Sequence, residues 1–186
     1  MDNGKVEISK IGNGDPDGFY NLIKPYQNRL YTFLLRLSGN REDAEELLQD
    51  TFMRIYRNLS RFDGRASFQT WIYTIAMNQF KSYRRKKRFK QISLEALNQN
   101  QWAGELEPSL SPELLLEEKE MRNEILSLMG FLKPEMKAAL VMKYMQSFSY
   151  QEIGKVLGIS EDAAKMKVFR ARKEILVRFG KEKAGV

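Results

Sequence analysis

Apolar residues recur at helical spacing along two stretches of the chain, and no alternating pattern typical of a β-strand interrupts them. In the first stretch the pattern predicts a helix over residues 17–37. Pro25 lies inside this pattern and would either kink the helix or break it, since proline donates no backbone hydrogen bond. The apolar face of this helix holds Phe19, Ile23, Tyr26, Leu30, Phe33, Leu34 and Leu37.

Two further helices are predicted in the first stretch. Asn40, with Asp43 three residues later, forms an N-terminal capping pattern for a helix that runs to about Asn58. Its predicted buried stripe consists of Ala44, Leu48, Ile55 and Leu59, with further contributions from Leu47 and Phe52. A loop follows, and a third helix starts near Ser67. The third helix carries Phe68, Trp71, Ile72, Ile75, Ala76, Phe80 and Tyr83 before it enters a basic run.

The second stretch begins near Leu114, extends to Phe179 and contains two helices around a tight turn. Ser149 and Glu152 form a capping box at the start of the first of these helices. Gly158 suits a left-handed turn, and Ser160 is a natural N-cap for the second helix, which is basic. This order is typical of a helix-turn-helix, whose second helix enters the major groove of DNA. An ordinary helical hairpin with a solvated charged face has the same pattern, but the basic second helix favours DNA.

Charge separates the two stretches. Residues 81–90 hold seven basic side chains and no acidic one, whereas residues 91–120 hold seven glutamates against Lys119 alone. The acidic block also contains prolines and a polar NQNQ run, which are typical of a tether. The sequence therefore predicts an all-α protein: an N-terminal tail over 1–14, a helical domain over 15–90, a flexible acidic linker over 91–120 and a second helical domain over 121–186.

Composition limits the chemistry that the chain can perform. The formal net charge of +7 and the pI of about 9.5 favour a polyanionic partner. Cysteine and histidine are absent, which excludes disulfides and Cys/His zinc sites and removes the commonest general base. We therefore expect no catalytic residues, no metal, no cofactor and no small-molecule substrate. The sequence shows neither a signal-peptide pattern nor an apolar run long enough for membrane insertion, so we expect a cytoplasmic protein.

The third helix combines aromatic residues with a basic end, a combination that suits single-stranded or melting DNA. Because most of its aromatic residues also fall at helical core spacing, we expect only one or two of them to face nucleic acid. The basic run taken alone is equally typical of a solvated helix end.

The second helix carries a polar face opposite its apolar stripe. This acidic–polar face would repel phosphates, so the pattern leaves two interpretations open: a solvated surface or a docking site for another protein. The face consists of Glu46, Gln49, Asp50 and Met53.

The order of these segments resembles the bacterial sigma-70 family, and specifically its small extracytoplasmic function (ECF) members, which retain only regions 2 and 4. Region 2 of that family is similar to residues 43–85, DAEELLQDTFMRIYRNLSRFDGRASFQTWIYTIAMNQFKSYRR. Region 4 is similar to residues 131–173, FLKPEMKAALVMKYMQSFSYQEIGKVLGISEDAAKMKVFRARK. The resemblance implies a sigma factor that binds core RNA polymerase, directs it to promoters through −10 and −35 contacts, and promotes DNA melting.

The resemblance also implies residue roles and partners. It makes the acidic–polar face the surface that docks on the clamp helices of the polymerase β′ subunit. It implies −10 DNA contacts for Phe62, Ser67, Trp71, Asn78, Lys81, Arg84, Arg85 and Lys86. It implies −35 DNA contacts for Lys165, Lys167, Phe169, Arg170, Arg172 and Lys173. The polymerase β flap and an anti-sigma factor are further implied partners.

The recognition helix departs from the family pattern at its start. Family members usually open it with a run of the Gly-Thr-Val-Lys-Ser-Arg type, where this chain has Asp162, Ala163, Ala164, Lys165, Met166 and Lys167. The missing threonine and serine remove hydroxyls that could contact DNA, which affects the −35 sequence that is read. Met166 would either make an apolar contact or face away.

Two other classes of protein use basic helices of this kind. A stand-alone helix-turn-helix regulator would bind a palindromic site as a dimer and need no polymerase, but it leaves the region 2 resemblance unexplained. A nucleic-acid enzyme such as a recombinase would need a nucleophile with clustered arginines, or carboxylates that hold metal, and the sequence shows no such cluster.

Overall fold

A computed structural model of the chain describes residues 15–93 and 129–183, and both ranges are helical with connecting turns. The predicted tail over 1–14 and most of the predicted linker over 91–120 lie outside the described residues. The helices are α1 (Pro16–Ser38), α2 (Arg41–Asn58), α3 (Phe68–Ser93), α4 (Pro134–Met145), α5 (Tyr150–Leu157) and α6 (Glu161–Lys183), with a 3₁₀ turn at Leu59–Arg61. The prediction of an all-helical fold is confirmed over these ranges.

Local capping fixes where the first helices begin and end. The Asp15 carboxylate accepts a hydrogen bond from the Gly18 backbone N–H over 2.9 Å, and α1 ends at Gly39, whose φ is 84°. The Asn40 side chain accepts from the Asp43 N–H over 2.8 Å and caps α2, as predicted. The helix α1 runs through Pro25 without a break.

The first three helices pack around one apolar core. Phe33 from α1, Ile55 from α2 and Ile72 from α3 are fully buried in it. The predicted stripe of α2 is confirmed at Ala44, Leu47, Ile55 and Leu59, whereas Leu48 and Phe52 are only half-buried at its edge. We call this bundle, α1–α3, the first unit.

The second unit, α4–α6, contains the predicted helix-turn-helix. Both hydrogen bonds of the capping box between Ser149 and Glu152 are present, and Gly158 adopts a left-handed conformation with φ of 72°. The Ser160 hydroxyl accepts from the Ala163 N–H over 3.2 Å at the start of α6. Gly154 lets the turn close tightly, because a Cβ at this position would lie 2.8 Å from the Ile159 carbonyl oxygen.

The two units pack against each other, with α1 on α4 and α3 on α5, and their buried residues form one continuous cluster. The Tyr73 hydroxyl of α3 donates a hydrogen bond to the Gln146 side-chain oxygen over 2.8 Å. The Tyr73 ring also packs on Phe148, with 4.9 Å between ring centroids. Two longer hydrogen bonds join Arg29 and Gln146. The Arg29 guanidinium donates to the Gln146 carbonyl oxygen over 3.5 Å, and the Gln146 side-chain amide donates to the Arg29 carbonyl oxygen over 3.4 Å. The sequence predicted two tethered domains and gave no indication of this packing.

Candidate nucleic-acid interface

The acidic–polar face of α2 is exposed, as the sequence predicted. Glu46, Gln49, Asp50 and Met53 follow the three- and four-residue spacing that places side chains on one side of a helix. All four are exposed, and half of the Met53 surface is open to solvent. Because the opposite side of α2 is buried against α1 and α3, this face is held rigidly at the surface. An exposed methionine among acidic and amide groups suits protein docking better than DNA binding.

The second half of α3 presents the predicted basic surface. Asn78, Lys81, Arg84, Arg85 and Lys86 are all exposed. The intervening aromatic residue Phe80 is buried, so it anchors the helix while its neighbours face outward.

A polar cluster ties this part of α3 to the start of α2. The Lys87 ammonium donates to the Asp43 carboxylate over 2.9 Å, and Asn40 also contacts this carboxylate. Burial alone would raise the pKa of Asp43, but hydrogen bonds from Tyr83, Lys87 and Asn40 outweigh it and lower the pKa. Lys87 is thereby engaged in structure, whereas the basic residues just before it remain available.

Three aromatic rings meet where the loop after α2 joins α3. The Phe62 ring lies 5.3 Å from Trp71 and 5.5 Å from Phe68, and Phe68 lies 5.7 Å from Trp71. Phe68 is buried, whereas Phe62 and Trp71 are half-buried and keep part of their rings accessible. Tyr73 is fully buried. Burial thus leaves few aromatic residues accessible among the described side chains of α3, and the expectation that one or two of them face nucleic acid stays a prediction.

Ser67 has a structural task at the start of α3. Ser67 is exposed. Its hydroxyl accepts a hydrogen bond from the Thr70 N–H over 3.2 Å and forms a second hydrogen bond with the Thr70 hydroxyl over 2.8 Å. These contacts cap α3, and a contact from Ser67 to DNA would compete with them or add to them.

Helix α6 exposes most of the residues predicted for −35 contacts. Lys165, Phe169, Arg170, Arg172 and Lys173 are exposed, and 59% of the Phe169 surface is open. The buried positions between them are Ala164, Val168 and Ala171, which pack on the rest of the second unit.

Lys167 differs from the other basic residues of α6. It is half-buried and donates a hydrogen bond to the Glu135 carboxylate of α4 over 2.7 Å. This hydrogen bond from Lys167 is the main reason why the pKa of Glu135 lies below its usual value. Lys167 therefore joins α6 to α4 in this structure.

The departures at the start of α6 fall into two groups. Ala164 is fully buried, so its side chain lies away from any surface that DNA could reach. Ala163 is half-buried and Met166 is 45% exposed, so the structure places Met166 at the surface. The threonine and serine of the family pattern stand at the positions of Ala163 and Met166, of which only Met166 is exposed.

Basic residues from both units line one cavity. This cavity, of about 500 Å³, lies between α3, α4 and α6. Lys81 and Arg84 of the first unit and Lys167 and Arg170 of the second lie around it. The sequence placed these pairs in separate domains and did not predict that they share a cavity.

Sequence reasoning missed two features of the second unit. Gln146 lies in a short loop, where a polar residue is normally exposed, yet it is almost fully buried between the units. Periodicity also extended the apolar pattern of the second stretch to Phe179, but several large apolar residues are exposed. These are Phe131, Tyr144, Met145, Leu176 and Val177.

The part of the chain that the structure describes shows neither a group of carboxylates arranged to hold a metal ion nor a helix long and apolar enough to cross a membrane.

Comparison with known families decides between the classes of protein that the sequence left open. The family model for sigma-70 region 2 matches residues 22–90, and the model for sigma-70 region 4 matches residues 122–175. The chain belongs to the sigma-70 family. Region 2 precedes region 4, as expected, and residues 91–121 separate the two matches.

Curated relatives place the chain among the ECF members of the sigma-70 family. The ECF RNA polymerase sigma factor SigW of Bacillus subtilis is 28% identical over 175 residues, which cover 92% of this chain and 94% of SigW. The ECF RNA polymerase sigma-E factor of Escherichia coli is 28% identical over 178 residues, which cover 92% of this chain and 91% of the relative.

Solved structures share the fold. The sigma factor RpoE of Bartonella quintana, in complex with the anti-sigma factor NepR, matches with a TM-score of 0.73 and 22% identity, covering 90% of this chain and 97% of RpoE. CnrH, in complex with the cytosolic domain of CnrY, matches with a TM-score of 0.65 and 19% identity, covering 95% of this chain and 96% of CnrH.

Proposed function

We propose that this ECF sigma factor binds core RNA polymerase, directs it to promoters through −10 and −35 contacts, and promotes DNA melting. The observation that carries the proposal is the presence of sigma-70 region 2 and region 4 in one chain and in this order. The domain bounds that we propose are 15–90 for region 2 and 121–186 for region 4, with 91–120 as the linker. The chain would act in the cytoplasm, where the polymerase is, and without catalysis of its own.

Docking on the polymerase would use the acidic–polar face of α2. Its four exposed side chains lie on one side of a helix whose other side is fixed in the core. A rigid face loses little entropy on binding, which favours it as a protein contact. The β′ clamp helices are the expected partner of this face. The exposed apolar residues of the second unit are a candidate contact for the β flap.

DNA binding would use the basic residues of α3 and α6. Phosphates would be held by Arg84, Arg85 and Lys86, while Asn78 and the partly accessible Trp71 and Phe62 would capture unpaired bases of the −10 element. Since these contacts form only with unpaired bases, their binding energy would favour the melted state over the duplex. The exposed side chains of α6 would read the −35 element in the major groove.

Promoter binding would require the two units to separate. Elements centred about 25 base pairs apart lie roughly 85 Å apart along B-form DNA. Lys81 and Arg84 for the −10 element and Lys167 and Arg170 for the −35 element surround one cavity instead. We infer that the described packing is a closed form, and that the polymerase holds the units apart. An anti-sigma factor, like NepR in the complex with RpoE, would have the opposite effect.

In vitro transcription tests this proposal. Bacterial core polymerase is incubated with and without the protein on a pool of promoter fragments, and the transcripts are sequenced. Protein-dependent transcripts with discrete starts and shared −35 and −10 sequences are expected. Absence of transcripts, together with tight specific binding of the isolated protein to a palindromic site, would instead support a stand-alone regulator.

A further inference from the structure

The cavity between the two units carries more positive charge than its own acidic group neutralises. Five cations line it against one carboxylate, that of Glu135. Within the described ranges Lys167 forms an ion pair with Glu135 and Lys81 also lies within electrostatic reach of it, so two cations share the one carboxylate and the net charge of the lining stays positive. The cations are Lys81, Arg84, Lys133, Lys167 and Arg170.

Concentrated like charge of this kind opposes the packing of the units. The repulsion acts between units, because Lys81 and Arg84 belong to α3 whereas the other three cations belong to the second unit. A buried lysine close by, Lys137, has a pKa lowered by burial and by the Arg84 charge. A multiply charged anion in the cavity would remove the repulsion and join the units.

The geometry suits a small anion. A volume of about 500 Å³ lies within the range typical of small-molecule sites, roughly 300–1,000 Å³. Lysine and arginine side chains are the usual partners of phosphate oxygens. The accessible apolar part of the cavity wall is formed by the half-buried Pro134 and Met136, and it could accept the base of a nucleotide.

We propose that the cavity between α3, α4 and α6 binds a small polyphosphate, free or as part of a nucleotide, and that this anion stabilises the closed form. The proposal goes beyond promoter recognition and rests in one respect on the proposed function: four of the five cations are also proposed DNA contacts. The polyphosphate would therefore compete with promoter DNA. Lys133 has no proposed role in binding DNA or polymerase, so it separates the two activities.

Titration calorimetry of the full-length protein with sodium tripolyphosphate, at constant ionic strength and without DNA or polymerase, tests the site. Wild type is expected to bind one tripolyphosphate, and Lys133→Ala is expected to bind about tenfold more weakly, as loss of one charge-assisted contact implies. Lys24→Ala, an equal charge change on the exposed side of α1, is the matched control and should bind like wild type. Lys133→Gln is a second variant should Lys133→Ala fold poorly.

A second test asks whether tripolyphosphate binding requires the two units to be packed together. Gln146→Leu, which removes the hydrogen bond between the units, should also weaken tripolyphosphate binding, although Gln146 does not line the cavity. Tighter binding of ATP than of tripolyphosphate would support a nucleotide as the ligand, and equal affinity would support the polyphosphate group alone.

Two results would overturn the proposal: no binding up to millimolar tripolyphosphate, or equal weakening in Lys133→Ala and Lys24→Ala, which would indicate a diffuse basic surface. Neither result bears on the transcription assay, since that assay scores protein-dependent transcripts at a fixed concentration of nucleoside triphosphates and does not depend on anion binding in the cavity.

Discussion

Tyr73 of α3 donates a hydrogen bond to the side chain of Gln146, 73 residues further along the chain, at a point where both residues are buried. The pair joins the unit that carries the proposed −10 surface to the unit that carries the helix-turn-helix. Buried polar groups are costly without partners, so each of these residues depends on the other unit. This contact gives the closed form a specific geometry beyond that of general apolar packing.

The contact predicts a measurable coupling. Tyr73→Phe should lower the free energy of unfolding by about 1–2 kcal/mol, because the buried Gln146 oxygen loses its donor. Gln146→Leu in the Tyr73→Phe background should cost less than Gln146→Leu alone. Urea unfolding of the two single variants and the double variant measures this coupling. Additive effects would show that the hydrogen bond contributes nothing.

The acidic–polar face of α2 predicts a polymerase-binding defect without a folding defect. Gln49→Ala combined with Asp50→Lys should reduce capture of core polymerase at least tenfold, since both side chains are exposed and one charge is reversed. Pull-down with purified core polymerase measures it, and circular dichroism checks the fold. Glu45→Gln, one position before this face, is the control. If the double variant captures core polymerase as well as wild type, the acidic–polar face of α2 is not the docking surface.

The exposed basic residues of α6 predict dependence on the −35 element. Lys165→Ala with Arg170→Ala should weaken initiation about tenfold or more at promoters that need this element, because two cationic contacts to DNA are lost. Matched promoter pairs with intact and scrambled −35 elements measure the effect. Lys24→Ala, which removes a positive charge from α1, should leave initiation unchanged. If the double variant initiates as well as wild type at promoters that need the −35 element, the assignment of −35 contacts to α6 is wrong.

Two glycines of the second unit should respond oppositely to replacement by alanine: Gly154 in the tight turn should lower stability, and Gly180 in α6 should raise it. Gly154→Ala should destabilise the protein by about 1–3 kcal/mol, because the added Cβ would lie 2.8 Å from the Ile159 carbonyl oxygen. Gly180→Ala, in α6 with open space around it, should stabilise the protein by about 0.5–1 kcal/mol through its helix propensity. Thermal unfolding compares the two variants. A stable Gly154→Ala variant would contradict the close approach.

The ion pair between Glu135 and Lys167 predicts a pH-dependent contribution to stability. The pKa of Glu135 is lowered in the folded protein, so the pair stabilises it above about pH 4.5, the ordinary value, and loses this effect as the pH falls through the folded pKa. Glu135→Gln should cost at most about 1 kcal/mol at neutral pH, because the pair is partly exposed, and progressively less as the pH falls below the ordinary glutamate pKa. Thermal unfolding from pH 7 to pH 3 measures the difference. Glu46→Gln is the control, and a cost that does not decrease as the pH falls would assign the effect to packing.

Local features of the fold were predictable from sequence because their causes are local. Asn40, Ser149 and Ser160 cap helices through hydrogen bonds to residues three positions away, and the spacing of side chains alone reveals them. The exposed face of α2 and the exposed basic residues of α6 follow in the same way from helical periodicity.

The packing of the two units was not predictable, because nothing local encodes it. Tyr73 was one aromatic residue among several on α3, and Gln146 is a polar residue in a short loop. Only their meeting in the fold shows why both are buried. The same limit applies to Lys167, whose partner Glu135 is 32 residues away. Basic residues assigned to separate DNA elements therefore came together in one cavity without any sign in the sequence.

Run-off transcription at one promoter chosen from the pool shows whether the protein acts as a sigma factor that docks on the polymerase through α2. Core polymerase is assayed alone, with wild-type protein and with the Gln49→Ala, Asp50→Lys variant. We expect a defined transcript with wild type, no transcript with core alone and a transcript reduced at least tenfold with the variant. No transcript with wild-type protein on any promoter, or equal transcription by the variant, would contradict this expectation.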